Sequence, residues 1–225
     1  IARVARQEGL AGTISAATRR QETADEARAL RDAGVTAYNH NIDTSPEHYP
    51  NVVSTHTFDD RLRTIRHAQD AGMSVCCGGI LGLGETLEDR LRMLEVLSNF
   101  NPHPESVPIN MLMPIQGTPM GENEQVDTFT MIRMIATARI AMPQAKVRLS
   151  AGRTAMSKEC QALCFFAGAN SIFYGDRLLT AANPRANEDL ALLRDLGLVP
   201  QEPNPAMDAP AADGARPLTA VCAGC

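Results

Sequence analysis

A helix-closing Asp-Ala-Gly followed at once by a β-forming run occurs twice, as Asp32-Ala33-Gly34 before Val35-Thr36-Ala37-Tyr38 and as Asp70-Ala71-Gly72 before Met73-Ser74-Val75-Cys76-Cys77. Gly suits the left-handed residue that ends a helix, and Val, Thr and Tyr favour strands. Each unit also carries a start signal. Thr23-Ala24-Asp25-Glu26 is a capping box ahead of Ala27, Leu30 and Ala33. Thr57 to Asp60 opens a second helix with Leu62, Ile65, Ala68 and Ala71 inward.

The alternation continues along the chain. A helix from about Thr86 places Leu87, Leu91, Leu94 and Leu97 inward and leads to the strand Ser106 to Met111. Another runs from Asp127 towards Pro143 and feeds Lys146 to Ser150. Ser157 to Ala167, closed by Gly168, precedes Asn170 to Tyr174, and a last helix spans Asn187 to Leu196. With Gly12 to Ser15 as a weaker first strand, six strands alternate with helices, the pattern of a parallel α/β fold. Six suit an open doubly wound sheet or part of an eight-stranded barrel, and periodicity does not choose. From Val199 the pattern stops. Pro200, Pro203, Pro205, Pro210 and Pro217 among Ala, Asp and Gly read as a disordered tail, residues 199–225, after an α/β body at 1–198.

Composition excludes some classes. The 225 residues carry a net charge of -5 with 44% hydrophobic content, so no basic stripe awaits a nucleic-acid backbone. No run approaches the ~18 apolar residues of a membrane span. Ile1 replaces an initiator Met and Ile1 to Ala5 reads as the inside of a helix, which suggests a fragment or a processed product. Cys76-Cys77 lie in an apolar strand instead of a disulfide framework, so a reducing compartment is expected.

Unusual polar residues fall at strand ends. Asn39, His40, Asn41 and Asp43 follow one strand, Cys76 and Gly78-Gly79 end the next, Asn110 ends another, and Arg148 lies in the next. In a parallel barrel these positions converge where chemistry is assembled. Taken singly, the first cluster also reads as a hydrogen-bonded turn, Cys76 as a small buried hydrophobe and Arg148 as an ion-pair partner. Gly82-Leu83-Gly84-Glu85-Thr86 lacks the GxGxxG spacing of a dinucleotide loop. Cys160 and Cys164 share a helix face and read as packing. Cys222-Ala-Gly-Cys225 has no second pair and supports no closed zinc site.

The strings YNHNIDTSPEHYPNVVSTHTFDDRL, DAGMSVCCGGILGLGET, HPESVPINML, RMIATARIAMP, VRLSAGR and CFFAGANSIFYGDRLLT, in that order over roughly residues 30–198, resemble the biotin synthase family of radical S-adenosylmethionine enzymes. The resemblance implies a (β/α)8 TIM-type barrel of which this chain holds the third to eighth strands. It implies sulfur insertion into dethiobiotin using S-adenosylmethionine, a 4Fe-4S cluster and a 2Fe-2S cluster. By the same resemblance Asn41 and Asp43 bind the ribose of S-adenosylmethionine, Arg61 its carboxylate, and Ile80 and Met113 lie near its adenine. Asn39 and Asn110 bind the ureido ring of dethiobiotin and Thr180 its carboxylate, with Ala181 in place of a second Thr. Cys76 and Arg148 ligate the 2Fe-2S cluster. A homodimer, an electron-donor flavoprotein or ferredoxin, and a cytoplasmic place (the mitochondrial matrix in a eukaryote) are the family's expectations. The CxxxCxxC loop of the 4Fe-4S cluster has no counterpart among the cysteines at 76, 77, 160, 164, 222 and 225. This chain alone is therefore expected to be inactive. An apolar lumen with two open sheet edges is expected as well.

Overall fold

Three of the helices begin at the boxes legible in the sequence. Thr23, Thr57 and Thr86 each accept from the backbone N–H three residues on, and Glu26, Asp60 and Asp89 return the bond to the cap's own N–H. Asp127 and Ser157 cap two more through their side chains. A computed structural model describes residues 22–174, 186–201 and 216–222. In chain order the elements are α1 (Ala24–Asp32), β1 (Ala37–Asn39), α2 (Tyr49–Val52), α3 (Phe58–Asp70), β2 (Ser74–Cys76), β3 (Gly79–Leu81), α4 (Leu87–Ser98), β4 (Ser106–Met111), α5 (Thr128–Ala141), β5 (Lys146–Leu149), a 3-10 turn (Arg153–Ala155), α6 (Lys158–Phe166), β6 (Ser171–Tyr174), α7 (Ala186–Asp195), β7 (Leu198–Pro200) and β8 (Arg216–Cys222).

The sheet runs β1-β2-β4-β5-β6 with every neighbour parallel, and β3 continues the line of β2 against β4. These are five of the six strands read from the sequence; the weak sixth, Gly12 to Ser15, lies outside the described residues. Alternation divides the strands into two faces. Tyr38, Val75, Cys77, Val107, Ile109, Val147, Leu149 and Ile172 join Ile65, Leu94, Leu97, Met131, Ile135, Cys164 and Phe165 in one core between sheet and helices. The opposite, inner face carries Asn39, Cys76 and Ser106 in one row and Pro108, Arg148 and Ser171 in the next. That face is largely polar, where an apolar lumen was expected.

Two further expectations are corrected. Leu87 and Leu91 point outward, 65% and 42% exposed, and α4 buries Met93, Leu94 and Leu97 instead. At 100° per residue Leu87 and Leu91 sit roughly 80° and 120° around the helix from Leu97, so the leucine stripe and the buried stripe overlap only at its far end. The second concerns the edges. β8 pairs antiparallel with β6 and with β7, so the outer edge of β6 is covered. β8 and all of β7 but Leu198 fall in the Pro-rich stretch, residues 199–225, whose composition argued for disorder. The free N–H and C=O groups along β6 give an extended segment a ladder to complete, which composition does not register. Among the described residues no helix is long and apolar enough to cross a membrane.

Candidate functional site at the strand ends

β1 does not stop cleanly at Asn39. Its chain continues beside the break between β2 and β3, where His40 N–H donates to Cys76 O at 3.0 Å, Ile42 N–H to Gly78 O at 3.0 Å, and Ile80 N–H to Asp43 O at 2.7 Å. The Asn41 side-chain oxygen accepts from Gly78 N–H at 3.1 Å. Gly78 and Gly79 permit this approach because there is no room for side chains. A Cβ on Gly78 would lie 2.0 Å from Pro108 O, and one on Gly79 would lie 2.0 Å from Met93 Sδ and 2.8 Å from Asp43 O. Asp43 takes φ 67°, the one positive φ at a non-glycine among the described residues. A left-handed aspartate is uncommon, and here the flanking backbone bonds hold it.

That geometry turns the Asp43 carboxylate onto Arg61, in the first turns of α3. Arg61 Nη2 lies 2.9 Å from Asp43 Oδ2, Nη1 donates to Asn41 O at 3.0 Å, and Nε donates to Tyr49 Oη at 2.7 Å. The Tyr49 ring packs edge-on to Phe58 with centroids 5.3 Å apart. Burial pushes the Asp43 carboxyl above its ordinary range, and the Arg61 charge opposes that push. His40, between Asn39 and Asn41, turns to the core side. Its pKa falls to about 4, first from burial and then from the charges of Arg61 and His56, and its buried Nε2 has no hydrogen-bond partner among the described residues.

Across the inner face, the Asn110 carboxamide is a bridge. Nδ2 donates to Gly79 O at 3.0 Å and Oδ1 accepts from Ala151 N–H at 3.2 Å, tying β3 to the segment after β5. Ile80 shares its row and Asn39 shares that of Cys76. Met113 lies exposed just beyond β4. Cys76 Sγ sits 3.5 Å from Ser106 Oγ on the inner face, whereas Cys77 points into the core with its thiol pKa pushed up by burial. Arg148 is 6% exposed with its guanidinium carbon 4.4 Å from the centre of the Phe173 ring. Ten positions were singled out from the sequence. The structure brings Asn39, Asn41, Asp43, Arg61, Cys76, Ile80, Asn110 and Arg148 to one end of the inner face or its rim, with Met113 beside them, and Thr180 lies outside the described residues.

Other residues shape this end without having been singled out. Tyr49 aims Arg61. Glu85 turns both carboxylate oxygens onto Gly82 N–H, at 2.9 and 3.1 Å, and receives Arg90 Nε at 2.7 Å. Ser45 Oγ donates to Asp89 Oδ1 at 2.7 Å and His48 Nε2 lies 3.2 Å from Leu83 O, so the loop after Asp43 is strapped to the first turn of α4 and to the loop after β3. Gly82-Leu83-Gly84-Glu85-Thr86 lacks the spacing of a dinucleotide loop and carries part of the family resemblance, but neither reading points to Glu85. The usable signal was the acid three residues after Gly82.

Parallel strands whose carboxyl ends gather amides, a carboxylate, an arginine and a thiol make part of an α/β barrel, and the class it resembles is that of the radical S-adenosylmethionine enzymes. Residues 3–97 match the family described as Radical SAM superfamily, and 108–199 match the Biotin and Thiamin Synthesis associated domain. Among curated relatives, biotin synthase of Prochlorococcus marinus (strain AS9601) is 61% identical over 176 residues, 78% of this chain and 52% of that one. Biotin synthase of Methylobacterium sp. (strain 4-46) is 59% identical over 187 residues, 83% and 55% of the two chains. The chain is a homologue of biotin synthases at about 60% identity over most of its length. It spans about half the length of the curated relatives it matches. Methylornithine synthase (PylB) superposes with TM-score 0.61 at 21% identity, covering 78% of this chain and 54% of that one. The [FeFe]-hydrogenase maturase HydG superposes with TM-score 0.65 at 20% identity, covering 79% and 42%. At such identities the likeness concerns the fold.

Proposed function

We propose that this chain forms the ligand-binding wall of a biotin synthase, the enzyme that inserts sulfur into dethiobiotin to make biotin. The observation that carries this reading is the convergence of Asn39, Asn41, Asp43, Arg61, Cys76, Asn110 and Arg148 at the carboxyl ends of parallel strands, in a chain about 60% identical to biotin synthases. In this reading Asn41 and Asp43 take the ribose hydroxyls of S-adenosylmethionine, Arg61 takes its carboxylate, and Ile80 and Met113 flank the adenine. Asn39 and Asn110 match the donor and acceptor edge of a ureido ring, and Thr180 meets the substrate's carboxylate. The cytoplasm, or the mitochondrial matrix in a eukaryote, a homodimer and a flavoprotein or ferredoxin electron donor complete the proposal.

The iron-sulfur groups fit this chain unequally. A 4Fe-4S cluster needs three thiolates at CxxxCxxC spacing, and the six cysteines of this chain contain no such motif. Among the described residues no three His, Cys, Asp or Glu side chains gather to hold a metal. The residues present do not fit that cluster. For a 2Fe-2S cluster this chain offers Cys76 and Arg148, in adjacent inner rows of β2 and β5. Two ligands cannot close a four-ligand site, so these two would be its contribution to a set completed by other residues.

The same mismatch favours a second reading, a barrel that binds dethiobiotin or an adenosyl ligand, or pairs with an intact subunit, without catalysis. Incubating the chain with S-adenosylmethionine, iron, sulfide and a strong reductant tests the expectation, common to both readings, that this chain alone does not cleave S-adenosylmethionine. No 5′-deoxyadenosine is expected from this chain alone. Its formation would show that the chain holds a radical-generating cluster after all.

A further inference from the structure

We infer that the Asp43–Arg61 ion pair acts as a specificity filter, admitting adenosyl amino acids and disfavouring plain nucleosides by an exchange of partners. The inference rests on the adenosyl reading of the strand-end site and adds what selects among its ligands.

The argument starts from the three partners of Arg61. Nε is held by Tyr49 Oη at 2.7 Å, and Tyr49 is buried against Phe58. Nη1 is held by Asn41 O, a backbone atom of the segment paired to Gly78. Neither can leave without moving the core or the strand. Nη2 is held by the Asp43 carboxylate at 2.9 Å, the one side-chain anion on Arg61 among the described residues. The third partner is therefore the exchangeable one. Arg61 and Asp43 are 17% and 16% exposed at their side chains, so either group left alone keeps a poorly hydrated charge.

Asp43 is equally constrained. Its backbone is pinned by Gly78 O and Ile80 N–H at φ 67°, which leaves the carboxylate as its movable part. A vicinal diol is a pair of donors and matches that carboxylate, but a diol carries no anion for Arg61. A nucleoside that takes Asp43 away strips a largely buried guanidinium of its counter-charge. A ligand that carries both a diol and a carboxylate supplies the replacement. Its carboxylate meets Nη2, Asp43 turns to the diol, and the count of ion pairs is unchanged. The guanidinium fork suits this replacement because a carboxylate fits its planar donors.

The test uses the full 225-residue chain and two probes, S-adenosylhomocysteine and adenosine, with affinities measured by calorimetry. Wild type is expected to bind S-adenosylhomocysteine at least about tenfold more tightly than adenosine, the scale of one partly buried charge pair. In Arg61→Met the homocysteine derivative weakens by about tenfold, and adenosine binds several-fold more tightly because Asp43 no longer has to be released. The adenosine gain is the signature of exchange. An arginine that only docks a carboxylate leaves adenosine unchanged, and that result, with binding of S-adenosylhomocysteine intact in wild type, overturns the filter alone. If wild type binds neither probe, the adenosyl reading of the site fails and the filter with it. Arg61→Gln, neutral and more polar, repeats the adenosine measurement should the Met variant not fold, and the same gain is expected.

Discussion

Arg153 and Asp189 form a buried ion pair, each side chain 1% exposed, that joins the turn after β5 to α7. Gln161 of α6 accepts from Arg153 Nε at 3.2 Å and Nη2 at 3.1 Å, and Phe173 O accepts from Nη1 at 3.4 Å. One guanidinium thus gathers two helices and a strand at the edge where Phe173 supports Arg148. Asp189→Asn leaves the cation without its anion and is expected to cost about 3–5 kcal/mol. Replacing both with apolar residues of similar volume is expected to cost far less. Urea denaturation of the single and double variants measures the difference.

His40 makes stability depend on pH in a defined window. Its pKa is about 4 in the folded chain against the ordinary 6.5, so below 6.5 the unfolded chain takes up a proton that the folded chain refuses. The stability is fully present above 6.5 and is lost as pH falls towards 4, by up to about 3 kcal/mol. His40→Gln should flatten that part of the profile relative to wild type. Denaturant midpoints taken at intervals between these pH values would show it, and an imidazole that titrates near 6.5 by NMR would refute it.

Gly78→Ala would drive a methyl group to within 2.0 Å of Pro108 O and 2.9 Å of its Cδ. Both neighbours belong to β4, so neither can rotate away. A loss of about 3 kcal/mol or more is expected in chemical denaturation. The β2–β3 break and the Asn41 bond to Gly78 N–H should be disturbed together, visible as loss of amide protection at both.

Glu85→Gln is expected to destabilise by about 2–3 kcal/mol, because the new NH₂ faces donors on Gly82 and Arg90 where a carboxylate accepted from both. The change should concentrate in the loop after β3, and hydrogen exchange at Gly82 N–H is its direct readout. Unaltered protection there would show that the carboxylate does not hold the loop.

What the sequence revealed about the fold was local in origin. Thr23 with Glu26, Thr57 with Asp60 and Thr86 with Asp89 act within one helical turn, which is why the starts at Thr23, Thr57 and about Thr86 were legible, though the Thr86–Asp89 box itself is seen only in the structure. Three of the five described parallel strands, β1, β2 and β6, follow helices closed by Gly34, Gly72 and Gly168 and were legible in the same way. The facing of α4 was not local. Leu87 and Leu91 look like core residues, but Met93 meets Gly79 across space, and that contact sets which side is buried. The site divides likewise. Asn39, Asn41, Asp43, Cys76, Asn110 and Arg148 sit at strand ends and were legible by position. Tyr49, Ser45 and Glu85 act through partners that only the folded chain brings near, and Asn110 proves to bond backbone from two segments with one N–H and one lone pair, leaving its second N–H and second lone pair for a ligand. The pairing of β8 with β6 likewise depends on an edge far away in sequence.

Equilibrium binding of dethiobiotin to the full chain is the most direct test of the proposed dethiobiotin-binding wall on the inner face at the strand ends. Binding is expected in wild type, weakened about tenfold or more by Asn39→Ala, which removes a half-buried amide beside Cys76. No detectable binding, or equal binding by both proteins, would contradict it.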